Sequence, residues 1–274
     1  MTFSSRYWDE LKPNELSQHI AANASDVVVV LPVAATEQHG PHLPLSVDVD
    51  LVEGIVHACL PHLPKTSSVL FLPTQKVGLS SEHLQFAGTQ SLSPADIIHQ
   101  WVNMGAQVAR TGVKKLLLFN SHGGNVAVMD IVARELRAHQ NIMVFSSSWY
   151  NLPLGDAESA FSKHELRFGV HAGDVETSMM LALKPELVQM DKAQDFSSSS
   201  HARSIHFPIL GNGKSAKFGW QMQDINPYGA AGNAANATAE KGQALVDAAG
   251  KQLALLLQEI TQLPLSTLVS NTKR

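Results

Sequence analysis

Four short apolar runs punctuate the first half of the chain: Val27–Val33, Val69–Leu72, Lys115–Phe119 and Ile142–Ser146. The first and third are nearly unbroken Val and Leu, the pattern of strands covered on both faces, as in a parallel sheet. Between the runs the apolar period lengthens to that of a helix. Over Asp50–His62, the residues Leu51, Ile55, Val56 and Leu60 share one side. Over Pro94–Thr111, Ser93 is placed to cap the helix, Pro94 to open it and Gly112 to end it. Over Val126–His139, the stripe is Val128, Ile131, Val132 and Leu136. Strand and helix alternating in this order predict an α/β fold, a three-layer α/β/α sandwich with a mainly parallel central sheet.

The pattern changes after Tyr150. A polar, loop-rich stretch leads to a predicted helix over Asp174–Leu183, ended by Lys184-Pro185. Ser197–Ser200 and the Gly/Asn/Ala-rich Gly211–Ala237 read as surface loops, with a lid over an active site (residues 197–237) as the alternative. A long helix, Ala237–Thr261, closes the pattern, with Leu245, Ala249, Leu253 and Leu256 facing the sheet.

Composition narrows the function. The chain has 274 residues, which permits one large domain or two small ones, and its 44% hydrophobic content fills a real core. A net charge of −4 without a basic block argues against nucleic acid. The longest apolar run is far short of the roughly 20 residues that span a bilayer, and the first residues lack a secretory pattern, so a cytoplasmic protein away from the membrane is expected. One cysteine, Cys59, excludes an internal disulfide and a Cys-rich zinc site. Thirteen histidines against 16% charged residues is a high share of a residue that serves as acid, base and metal ligand.

Three segments gather these histidines with carboxylates. Glu37-Gln38-His39-Gly40-Pro41-His42-Leu43-Pro44-Leu45-Ser46-Val47-Asp48 follows the first strand, where parallel α/β sheets place their ligands. Glu37 and His39, two apart, project to the same side of an extended strand end, and Asp48 returns just before the next helix. Carboxylate, imidazole and carboxylate suit Zn²⁺ or Mn²⁺. Asn120-Ser121-His122-Gly123-Gly124-Asn125 leaves the third strand for the same rim, offering another imidazole and two glycines whose N–H groups can approach a ligand. Val170-His171-Ala172-Gly173-Asp174-Val175-Glu176 is the third. Here Asp174 as a helix N-cap, Glu176 against the helix dipole and a solvated His171 form the ordinary alternative to a base and a ligand.

Taken together, these segments resemble the creatininase family, from the first strand to about Asp191 and more loosely through the last helix. Glu37-Gln38-His39-Gly40 with Asp48 is the most specific match. His171…Glu176-Thr177-Ser178 is the second signature, and Gly78–Thr89 resembles the substrate-side loop. The resemblance implies a single metal-hydrolase domain over residues 1–274, opening amide bonds with a dinuclear centre and assembling as a hexamer. It implies that Glu37 and His122 hold one metal, His39 the other, with Asp48 bridging and Glu176 a further ligand. His171 is the implied proton-transfer residue and Trp149 an aromatic beside the substrate. The cofactor is then a divalent metal, Zn²⁺ foremost with Mn²⁺ or Fe²⁺ as alternatives, one or two per chain.

The match departs from true creatininases at His122-Gly123-Gly124, where a His-Tyr-Glu segment is replaced and a carboxylate ligand is lost. Val170 and Arg167 also stand where that family has Glu and Trp. The His-Gly-Gly-Asn form is similar to relatives that act as deformylases or peptidases. The expected function is hydrolysis of a C–N amide bond, in a cyclic amide, a formamide or a small peptide, by a metal-activated water. His171 would give a proton to the leaving nitrogen, and the Gly123 and Gly124 amides, or Ser80, would hold the oxyanion. Creatinine hydrolysis proper and a non-catalytic metal or small-molecule binding protein are the alternatives.

Overall fold

The computed structural model describes residues 3–269. Four parallel strands, β1 (Val28–Val33), β2 (Val69–Phe71), β3 (Lys115–Asn120) and β4 (Met143–Ser148), form a sheet in the order β2-β1-β3-β4. A helix α1 (Pro13–Asn23) precedes them, and α2 (Val47–Cys59), α3 (Pro94–Arg110) and α4 (Val126–Gln140) lie between them in sequence. Beyond the sheet come α5 (Lys163–Phe168), α6 (Asp174–Leu183), a two-residue strand β5 (Asp195–Phe196), α7 (Ser199–His206), α8 (Met222–Ile225), β6 (Gly232–Asn233) and the long α9 (Ala239–Gln262).

The strands are apolar throughout because both faces are covered. Val28, Val30, Val69, Phe71, Leu117 and Phe119 pack with α2, α6 and α9. Their sequence neighbours Val29, Leu31, Leu70, Leu116 and Leu118 turn to α3, α4 and Ile20 of α1. Period-two alternation thus feeds two cores, and the expected α/β/α layering follows.

Register sets the position of the chemistry. Val33 pairs with Asn120, and Asn120 with Ser148. The segments leaving β1, β3 and β4 therefore depart from one rim at the same level, the carboxyl edge where such sheets place ligands.

Several expectations need correction. The second helix begins at Val47, so Asp48 lies inside its first turn and not ahead of it. Asp174 opens α6 as its first residue, with Gly173 at the cap; its carboxylate is engaged instead by Lys241 Nζ at 2.7 Å. Ile131 is 45% exposed and Met129 takes its place in the α4 core. The 211–237 stretch is not uniformly a surface loop, because Ala230, Ala231 and Ala234 are buried and β6 pairs antiparallel with β5. Small residues there permit close backbone approach, which composition alone does not separate from looseness.

Candidate metal centre

Glu37 and His39 leave the rim just past β1. Gly40 then turns at φ +66°, a conformation favouring glycine, so the chain can fold back through Pro41 and Pro44 to Asp48. Three carboxylate oxygens, Glu37 Oε1, Asp48 Oδ1 and Glu176 Oε2, each lie 3.9 Å from His39 Nε2. His122 Nδ1 lies 3.3 Å from Glu37 Oε1 and 3.4 Å from Asp48 Oδ2. His171 Nδ1 is 3.7 Å from Glu37 Oε1. Glu37, His39, Asp48 and His122 are each 4% exposed or less.

The outer nitrogens of these rings fix their tautomers. His39 Nδ1 donates to the Glu37 carbonyl oxygen (3.0 Å), His122 Nε2 to that of Leu79 (2.8 Å) and His171 Nε2 to that of Gln38 (2.8 Å). A carbonyl only accepts, so each of those nitrogens carries the hydrogen. In the neutral rings the lone pairs of His39 Nε2, His122 Nδ1 and His171 Nδ1 are then the atoms turned toward the carboxylates. Metal-ligating histidines are oriented in this way, by donating their other N–H to a carbonyl or carboxylate.

Glu176 and His171 reach the cluster through a tight corner. Ala172, between them, sits at φ +52°, an uncommon conformation for a residue with a Cβ, and its N–H donates to Glu176 Oε2 (2.6 Å). His171 forms an antiparallel bridge with Ala231, so the 230–234 stretch forms part of the wall behind it. Glu165 braces the same corner, its buried carboxylate accepting from the N–H groups of Asp174 (2.7 Å) and Asn233 (2.8 Å).

The electrostatics call for a cation. Burial would raise the Glu37 carboxyl, but His122, His83 and His171 outweigh it and hold Glu37 well below the usual carboxylate range. Burial, then the Glu37 charge, push Asp48 up, and burial pushes Glu176 up. Burial also holds His39 well below its ordinary value. His122 goes the other way: burial opposes its charge, yet Glu37, Asp48 and Glu82 raise it to about 10. The carboxylates that keep a second proton on His122 would hold a divalent cation in its place. Glu37 Oε2, His39 Nε2 and Asp48 Oδ2 are buried without a hydrogen-bond partner, an arrangement costly for polar atoms unless something binds them. The donor set therefore fits a divalent metal.

The structure brings together Glu37, His39, Asp48, His122, His171 and Glu176. Gly123 faces open space, whereas Gly124 is pressed against the Leu79 carbonyl, His122 and Glu82. Ser80 is fully buried, its Oγ 3.3 Å from His122 Nε2. Trp149, just past β4, is 4% exposed and packs in the core with α2, α6 and α9.

Sequence reasoning placed Glu82 and His83 in the loop resembling a substrate-side one but gave neither a role. His83 Nε2 lies 3.5 Å from Glu37 Oε1, and its ring is 4.3 Å from that of His171. Gln38 Nε2 donates to His83 Nδ1 at 2.7 Å, while Gln38 Oε1 accepts from Gly40 N, so His83 turns its N–H toward Glu37. A His beside a Glu on a loop following a strand was the signal available. From the 197–237 stretch, Trp220 stands edge-on to His83 with centroids 6.5 Å apart.

A parallel-sheet α/β protein with a buried carboxylate–imidazole centre at its carboxyl rim is the class these features define. The family model for creatininase, described as creatinine amidohydrolase, matches residues 10–257. The chain belongs to the creatininase family. It is 30% identical to the creatinine amidohydrolase of Pseudomonas putida over 214 residues, covering 73% of this chain and 80% of that one. It is 29% identical to the mycofactocin precursor peptide peptidase of Mycobacterium ulcerans over 220 residues, 78% of each. Among solved structures, a creatininase point mutant of Zn-Zn type superimposes with a TM-score of 0.75 at 27% identity, covering 95% of this chain and 100% of the other.

Proposed function

We propose that this chain is a metal-dependent amidohydrolase that cleaves a C–N amide bond of a small molecule, a cyclic amide, a formamide or a short peptide. The observation that carries this reading is the orientation of three imidazoles: each is tied by one nitrogen to a backbone carbonyl and turns the other toward Glu37. Glu37 and His122 would hold one divalent cation, His39 and Glu176 a second, with Asp48 between them, since its two oxygens face His122 and His39 separately. Zn²⁺ is the first choice, Mn²⁺ and Fe²⁺ the alternatives. When bound, such a cation lowers the pKa of water toward neutrality and polarises a carbonyl.

The chain's own groups do the rest. His171 Nδ1, aimed at the cluster while Nε2 stays tied to Gln38, takes a proton from the attacking water and returns it to the leaving nitrogen. His83 directs an N–H at Glu37 and steadies that carboxylate. The Gly123 N–H, at the start of the helical turn Gly123–Asn125, would hold the oxyanion, and the Ser80 hydroxyl lies 3.3 Å from His122 Nε2. Glycine at both 123 and 124, with neither an aromatic nor a carboxylate side chain, favours formamide or peptide substrates over creatinine.

The test is turnover of a panel of creatinine, formamides, cyclic ureides and short peptides by metal-loaded and metal-stripped protein. Metal-dependent release of an amine from a panel member supports the reading. A loaded protein that binds metal and turns over nothing favours the binding-protein alternative. Family resemblance also implies a hexamer, which light scattering on the eluting protein would weigh directly.

A further inference from the structure

We propose that Glu82 is a metal ligand, completing with Glu37 and His122 a cation position beside the one built on His39, Asp48 and Glu176. The proposal rests on the metal-centre reading above. Glu37, Glu82 and His122 each offer one ligand atom, and those atoms lie within 4.8 Å of one another. Glu82 is held there by its loop. It lies in the helical turn Ser81–His83, anchored by Leu79 N–H to Asn125 Oδ1 (2.9 Å) and Ser80 N–H to Ser91 Oγ (2.9 Å). Its side chain is 16% exposed, and among the described residues its ion-pair contact is the His122 ring, at 3.6 Å from Nε2; because Leu79 holds the hydrogen on that nitrogen, the one left to a shared cation is Nδ1. No Lys or Arg answers its charge there.

Gly124 is the other half of the argument. A Cβ on residue 124 would stand 2.6 Å from Glu82 Oε1 and collide with the Leu79 carbonyl and the His122 ring. Glycine at this position is therefore what lets the Glu82 carboxylate lie beside His122. The carboxylate absent at 124 is supplied in space from a different loop. Two buried oxygens of the same cluster, Glu37 Oε2 and Asp48 Oδ2, lack any partner, which independently points to a ligand between the acidic groups. Charge agrees as well: Glu37, Asp48, Glu82 and Glu176 together can match two divalent cations.

Glu82→Gln keeps the shape of the side chain and removes its charge. Wild type and E82Q are stripped, shown to have the same far-UV circular dichroism and metal-free melting temperature, and dialysed against Zn²⁺ for elemental analysis and calorimetric titration. Both are also loaded with Co²⁺ for d–d absorption. We expect E82Q to lose one equivalent per chain, or to bind it at least 10-fold more weakly, with an altered Co²⁺ spectrum. Weaker binding with an unchanged spectrum assigns Glu82 a supporting role outside the coordination sphere and overturns the proposal, as does unchanged stoichiometry and affinity. Should E82Q not fold, Glu82→Ala is read by the same criteria. Wild type that binds no metal refutes the metal-centre reading itself, an outcome distinct from all of these.

Discussion

Stripping the metal should cost this protein measurable stability, and Asp48 should govern how much. Asp48 is 1% exposed, with Oδ1 turned to His39 and Oδ2 to His122, so it faces both halves of the candidate centre. A ligand that binds only the folded state at 100 times its Kd stabilises it by about 2.7 kcal/mol. For a chain of this size each kcal/mol moves Tm by roughly 2–4 °C. One occupied position therefore raises Tm by about 5–10 °C, and two by up to twice that. Asp48→Asn removes the charge shared by both positions, and 10-fold weaker binding leaves about half the shift at the same metal concentration. The assay is differential scanning calorimetry in EDTA and then across a Zn²⁺ and a Mn²⁺ titration. A Tm that ignores both metals, or a D48N shift equal to wild type, would refute the reasoning, because the buried oxygens would then need no cation.

Three further outcomes follow from the same geometry. His171→Asn should lower kcat on an active panel substrate by about 10²–10⁴-fold, the range expected for a lost general acid–base; if kcat holds, His171 does not move the proton. His42 is pushed down to about 4 by burial and then by His171, so it stays neutral when folded, whereas the unfolded chain protonates it near 6.5. The unfolded state then binds more protons between those values, so stability falls as pH drops from about 6.5 to about 4, by up to about 1.4 kcal/mol per pH unit from this group. His42→Asn should flatten the urea-midpoint profile over that window, and an unchanged profile would reject the assignment. Burial pushes the Cys59 thiol up to about 12, so it should resist Ellman's reagent from pH 7 to 9 when folded and react once in urea. Fast labelling of the folded protein would place Cys59 elsewhere.

Unbroken apolar runs are legible because a strand covered on both faces has no polar side to display. Val28–Val33 and Lys115–Asn120 stood out for that reason, and their register then carried Glu37 and His122 to one rim. The helix α6 was readable from a stop at Lys184-Pro185. By contrast α1 hides, since within Pro13–Asn23 only His19 and Ile20 are buried and no stripe forms. At the site, pairs close in sequence were legible as candidate ligands, such as Glu37 with His39. Glu82 and His83 were given no role because their loop leaves the shortest strand of the sheet and their contacts with His122 and Glu37 span some forty positions of sequence. Likewise the Ala/Gly run at 230–234 looked loose, when its small side chains are what let backbone lie against His171.

Anomalous scattering from crystals of the metal-loaded protein, collected on both sides of the zinc edge, tests the central claim most directly. The account places density among Glu37, His39, Asp48 and His122, each ligand atom about 2.0–2.2 Å from a cation. Zinc bound only at surface histidines such as His99 or His139, with those four side chains keeping their own contacts, would contradict it.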